Sequence, residues 1–172
     1  MATSKAELLA ALRASRDEVL GIVRGIPAER LEEGRYENGW NGREILAHLA
    51  SIEWTYPRLI DVAREAAAAP PPASAGAAPA APPTRTMRGG NDDYNARQVQ
   101  KRGHLPAAEL VAEFEKNRAA TIAAVEAADE QLFSLGIRSA GGVTGALSDV
   151  FLQVAVLHVL AHARDIAEPP RG

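Results

Sequence analysis

Residues 150–163 read VFLQVAVLHVLAHA, a run that is apolar on nearly every side of a helix and is interrupted only by Gln153, His158 and His162. A helix of this kind has almost no solvent face of its own and has to be covered by other helices. The run therefore predicts a helix over 144–167 as the most central element of a helical bundle. A polar side chain at this depth is costly unless something satisfies it. The two histidines, four residues apart, consequently ask for an explanation.

The rest of the chain agrees with a helical frame. Its 172 residues are enough for one domain, 1–172, with a core that needs neither disulfides nor a structural metal. Alanine and leucine dominate, and β-branched runs bounded by turn residues are missing, so an all-α fold is expected. The chain has no cysteine. Disulfides and a cysteine nucleophile are thereby excluded, and any metal must be held by imidazole and carboxylate. A net charge of −3 with scattered basic residues offers no nucleic-acid surface. The amphipathic start MATSKAELLAALR is not of signal-peptide type, and no stretch of eighteen uncharged apolar residues follows, so a cytoplasmic protein without membrane partner is expected.

Helix boundaries are marked by local chemistry. Ser4 and Glu7 form a capping-box pattern that opens a helix reaching about residue 24, with Leu8, Leu12, Val19, Ile22, Val23 and Ile26 on one stripe and Gly25 and Pro27 ending it. In WNGREI, Asn41 is the cap, Glu44 the third helical residue, and Trp40 and Ile45 the hydrophobic staple. The second helix then follows Ile45, His48, Leu49, Ile52, Tyr56, Leu59 and Ile60 toward residue 67, bent or restarted at Pro57. Residues 68–90 are an Ala/Pro-rich, low-complexity insert, read as a long connection that adds little loop-closure cost. A short helix at NDDYNARQVQKR follows, and Pro106 is expected at the first position of a third long helix with Leu110, Phe114, Thr121, Val125 and Leu132 on its buried stripe. SAGGVTG reads as a helix-to-helix turn. Four long helices with unequal connections predict a four-helix bundle.

His158 and His162 lie on one helical face with β-carbons about 5–6 Å apart, a spacing that lets two imidazoles share one ion. Val159 stands where the HExxH pattern has its general-base glutamate, so a metalloprotease fails at the residue that would do the chemistry. The spacing alone is weak, because roughly 7% of random placements of four histidines would produce it. His48 strengthens it, being a third imidazole on an apolar stripe of another helix. The structural alternative is that each histidine is partly buried and hydrogen-bonded to a neighbouring backbone or carboxylate group. His104, in the loop GHLP, receives no role. Asp165 either orients His162, pairs with a basic side chain or is solvated, and capping suffices to explain Glu44. Tyr94 and Asn95 border a possible pocket mouth, with packing the simpler role for Tyr94, and Trp40 and Trp54 are assigned to staple and core.

Taken in order, WNGREILAHLASIEW, NDDYNARQV, PAAEL and LHVLAHARDI resemble the DinB-like, or YfiT-like, superfamily, and within it the proteins similar to the N-terminal domain of mycothiol-dependent maleylpyruvate isomerase, a branch that includes the DfsB and ClbS types. The resemblance covers most of the chain apart from the insert. It implies an up-down-down-up four-helix bundle, commonly dimeric, holding a divalent metal, usually zinc or nickel, on three histidines. Carried onto this sequence, those ligands are His48, His158 and His162. Several members of the superfamily depend on a low-molecular-weight thiol, and others are associated with hydrolysis or with resistance to reactive small molecules. The chain stops soon after the metal helix, at EPPRG, so any function is expected from the bundle alone.

Three neutral nitrogen ligands leave an ion with an open position, the arrangement of catalytic sites. A metal-dependent thiol transferase acting on a small electrophile is coherent with a chain that has no thiol of its own. A metal-dependent hydrolase, a non-catalytic protein that binds or sequesters a small molecule, and a metal-free interaction bundle are the alternatives. No general base is evident, and no glycine loop of phosphate-binding type is present.

Overall fold

The computed structural model describes residues 3–36, 39–69 and 90–168. Helix α1, Lys5–Arg24, opens on the expected reciprocal cap between Ser4 and Glu7, and it buries Leu8, Leu12, Val19, Leu20 and Val23. A short α2, Ala28–Glu32, follows Pro27 and places Leu31 in the core. Helix α3, Gly42–Glu53, starts from Asn41, whose side chain accepts from the Glu44 backbone N–H at 2.8 Å, while the Glu44 carboxylate accepts from the Asn41 N–H at 2.9 Å. Two donors that the helix leaves open are satisfied there, which fixes both the start of α3 and the phase of everything it carries.

At Pro57 the chain restarts rather than bends. The proline is the cap residue of α4, Arg58–Ala68, because it has no N–H to continue the ladder of α3. The insert lies almost wholly outside the described residues, at 70–89. Helix α5, Gly90–Lys101, corresponds to the expected short helix, and α6, Ala107–Ala127, begins one residue later than expected, with Pro106 as its cap residue. The stripe of α6 buries Leu110, Phe114, Thr121 and Val125, and it adds Arg118, which is fully buried.

After a 3₁₀ turn at Glu130–Ser134 the fold departs from an all-α reading. Residues Gly136–Arg138 (β1) and Thr144–Ala146 (β2) pair antiparallel, Ile137 opposite Gly145. Gly142, at φ 86°, closes the connection, donating its N–H to the Ser139 carbonyl at 3.0 Å. SAGGVTG is thus the tip of a β-hairpin, and the last helix, α7, runs over Leu147–Ala167. The 3₁₀ turn before the hairpin is tied to the helix after it by Ser148 Oγ donating to the Phe133 carbonyl at 3.1 Å.

Helix α3 packs against α6, α5 and α7, and α1 packs against α6 and α7. Length and composition would let α7 cross a membrane, yet it buries Leu147, Val150, Phe151, Ala155, Val156, Val159, Ala163 and Ile166 within the protein. It is not enclosed on every side. Leu157 is 50% exposed, and His158 and Ala161 are also exposed, so α7 contributes one wall of the core rather than its axis.

Candidate metal centre

His48, His158 and His162 converge. His48 projects from α3 between the buried Ile45 and Leu49, and the ring of Trp40 lies 5.3 Å from its own. His158 and His162 stand one turn apart on α7, ring centroids 4.5 Å from each other, and their rings lie 5.8 and 5.2 Å from that of His48. One ring nitrogen from each comes within 4.8 Å of the others. The Nε2 atoms of His48 and His158 are 3.5 Å apart. Two nitrogens at 2.0–2.1 Å from one tetrahedral ion would be separated by about 3.4 Å.

The chemistry of the three rings fits a cation. Loss of solvation holds all three imidazoles below their ordinary range: His48 is pushed down to about 3 by full burial, then by His162 and His158, and His158, whose residue keeps an exposed edge, to about 4 by the protein packed around its ring, then by His162. Burial lowers His162 as well. At neutral pH the rings are therefore uncharged, the form that coordinates metal. The Nδ1 atoms of His48 and His162 are buried without a hydrogen-bond partner, so at these two nitrogens the backbone or carboxylate partner that the structural alternative calls for is absent.

The cluster is graded from closed to open. His48 is 2% exposed and forms its floor, whereas His158 borders a cavity of about 990 Å³. Tyr94 and Asn95 line this cavity, as do Tyr56, Arg138 and Gln153. The three rings thus combine a dry side with an approach for a molecule of substantial size, as ligand sites do.

The other candidates fall outside the cluster. His104 lies beside Pro106 and Arg43 in a separate groove. Asp165 is largely exposed, its carboxylate 3.8 Å from His162 Nδ1 and beyond hydrogen-bond reach, and Arg164 pairs with Glu18 instead. Glu44 caps α3. Trp54 is not a core residue: it is 49% exposed at the end of α3, where the Arg58 guanidinium stacks over its ring at 5.5 Å.

A buried ion pair between α3 and α6 was not foreseen. Arg118 Nη2 donates to Glu53 Oε2 at 2.8 Å with both side chains wholly buried, and Arg118 Nη1 donates to Ser15 Oγ at 3.1 Å. Burial pushes the Glu53 carboxyl up to about 7 against the pull of Arg118. The signal was present in the sequence, since Arg118 falls four residues after Phe114 and three before Thr121 on the buried stripe of α6.

The family described as Mycothiol maleylpyruvate isomerase N-terminal domain matches residues 12–167. Among solved structures, the mycothiol-dependent maleylpyruvate isomerase superposes with a TM-score of 0.72 at 17% identity, over 96% of this chain and 62% of that one. A histidine-to-alanine mutant of the mycothiol-dependent maleylpyruvate isomerase gives 0.69 at 18% identity, over 94% and 60%. The chain thus spans less than two thirds of the length of these proteins, and the likeness is one of fold. No curated protein sequence matches it.

Proposed function

Because the chain belongs to the mycothiol maleylpyruvate isomerase N-terminal domain family, and with it to the DinB-like superfamily, we propose that it is a metal-dependent thiol transferase acting on a small electrophile. The observation that carries this reading is the meeting of three neutral imidazoles, their ligand atoms within 4.8 Å of one another, beside the 990 Å³ cavity.

His48, His158 and His162 would hold the ion, zinc or nickel by donor type, since imidazole suits both. Bound there, a divalent ion supplies Lewis acidity that favours the thiolate form of a thiol at neutral pH. The protein's own residues do the rest. His48 anchors the site from α3 and, with Trp40 against its ring, keeps one side dry. His158 faces the cavity, whose wall carries both apolar groups such as Ile52 and Leu59 and donors such as Arg138 and Asn95. Because the chain has no cysteine, the nucleophilic sulfur must arrive on a low-molecular-weight thiol, which a family related to mycothiol chemistry favours.

On the same footing we place the chain in the cytoplasm as one up-down-down-up four-helix bundle domain over 1–172, acting on its small molecule as a homodimer. Leu157 and Trp54, each about half exposed, are apolar surface available to a second copy.

Elemental analysis of untagged protein after incubation with zinc or nickel tests the site. One equivalent is expected in the wild type and a loss of retention in His158→Ala and His162→Ala. Absence of metal in the wild type overturns the reading. For metal-loaded protein, a panel of thiols against electrophiles should show thiol-dependent turnover. Turnover independent of thiol would instead mark a hydrolase, and binding without turnover a sequestering protein.

A further inference from the structure

Helix α7 is not α-wound where it enters the histidine cluster. Over Leu152–Leu157 it is π-wound, and the N–H of His158 donates to the carbonyl of Gln153, five residues back. A π turn holds one residue more than an α turn, so everything beyond it is rotated by about one helical step, ~100°, relative to an unbroken α-helix. Had the segment stayed α-helical with its N-terminal half fixed, Leu157 would stand in the place of His158 and Ala161 in that of His162. The cluster depends on the extra residue.

Two side chains from elsewhere in the fold grip this segment by its carbonyls. The Tyr56 hydroxyl, from the link between α3 and α4, donates to the Val154 carbonyl at 2.5 Å. Arg118 Nη2, from the middle of α6, donates to the Ala155 carbonyl at 2.7 Å. Neither donor is free to wander: Tyr56 is buried, and Arg118 is held by Glu53 and Ser15 with its guanidinium 5.4 Å from the centre of the Phe114 ring. A π turn is rare because its backbone bonding is poor, and external donors at its carbonyls are what stabilise one in place.

We infer that Tyr56 and Arg118 are positioning residues for the histidine cluster: by holding the Val154 and Ala155 carbonyls they keep the π turn in α7, and the π turn aims His158 and His162 at His48. Burial and the nearby Glu53 carboxylate raise the Tyr56 phenol well above its usual range, so it stays protonated and able to donate. The functional meaning of this arrangement rests on the metal reading, but the geometry belongs to the chain alone and is measurable without metal.

The test compares wild type with Tyr56→Phe, which removes one hydroxyl, and with Arg118→Lys, which keeps a charge opposite Glu53 but loses the planar fork. In metal-free protein, ring-proton NOEs between His48 and His158 are read by NMR. In parallel, cobalt(II) affinity is read by absorbance titration, and folding by circular dichroism. The wild type should show the ring contact. Tyr56→Phe should weaken it and lower cobalt affinity about tenfold or more, the range seen when groups supporting a ligand are removed, with helicity unchanged. Arg118→Lys should act in the same direction. Deleting Gln153, whose side chain is exposed, removes the extra residue and returns the segment to α-winding with both ends in register. In that background the ring contact should persist and Tyr56→Phe should have no further effect, a suppression that a general loss of stability would not produce. The inference is overturned if the metal-free wild type lacks the ring contact, if Tyr56→Phe leaves it intact, or if the deletion fails to suppress the Tyr56→Phe defect. A wild type with the expected ring contacts and no cobalt uptake would instead sink the metal reading and leave the positioning role standing.

Discussion

His48 concentrates what burial does to an ionisable group. With 2% of its surface exposed and two other imidazoles beside it, its ring is held down to about 3, whereas in the unfolded chain it titrates near 6.5. The unfolded state then binds a proton over a range in which the folded state does not. Stability from this histidine is fully present above pH 6.5 and is lost as pH falls from 6.5 toward 3, and His158 acts alike down to about 4. Metal-stripped protein should therefore lose melting temperature on acidification from pH 6.5, before most carboxylates titrate. In His48→Leu the decline should be shallower, by up to about 1.4 kcal/mol per pH unit, the contribution of one proton. Equal slopes in the two proteins, followed by thermal melts at stepped pH, would contradict the placement of a neutral His48.

At the scale of elements, local chemistry and packing divided the work. The capping boxes of α1 and α3 were legible because they are made of residues three apart, and the start of α3 is where that matters for the site. Asn41→Ala removes the side-chain acceptor for the Glu44 N–H and should cost about 1 kcal/mol in urea denaturation. Gly42, the next residue, allows the close approach of α3 to its neighbours. A β-carbon there would meet Leu31 Cδ2 at 3.1 Å, the Leu31 Cα at 3.3 Å and Ile166 Cγ2 at 3.3 Å. Since one of those contacts is backbone, Gly42→Ala should overpack the junction of α2, α3 and α7 and lower stability by roughly 1–3 kcal/mol despite its better helix propensity. Unchanged or raised stability would show that α2 can move aside. The hairpin escaped the sequence because its strands are three residues long and carry two glycines, Gly136 and Gly145, so they have too little alternation to register.

At the scale of the whole molecule, the Glu53–Arg118 pair joins α3 to α6 and, through Ser15 and Ala155, to α1 and α7. Arg118→Met would leave Glu53 buried without its counter-charge and should cost about 3–5 kcal/mol in denaturant unfolding. Glu53→Met added to it should recover most of that loss, since a paired charge at this depth is often no better than a well-packed apolar pair. Failure of the double substitution to recover stability would show that the Arg118 bonds to Ser15 and the Ala155 carbonyl, which it also removes, outweigh the cost of burying the pair. Zinc at a hundred times its dissociation constant should add about 2.7 kcal/mol to the wild type by mass action. No such gain is expected in His48→Ala, a comparison made by melting with and without metal.

Helix starts, the stripe that buries Leu8, Leu12, Ile45, Leu49, Leu110 and Phe114, and the histidine spacing on α7 are properties of neighbours along the chain, and they could be read there because a helix repeats within four residues. His48 could be placed on a buried face but not against His158, 110 residues away, without either the family resemblance or the fold. The winding of α7 belongs to tertiary structure altogether. Nothing in LQVAVL distinguishes a π turn from an α turn, and the donors that favour the π turn, Tyr56 and Arg118, come from the α3–α4 link and from α6, far away in sequence. Where His158 and His162 point is therefore decided by packing around α7, because donors from elsewhere in the fold set its winding and a one-residue change of winding rotates the whole end of the helix.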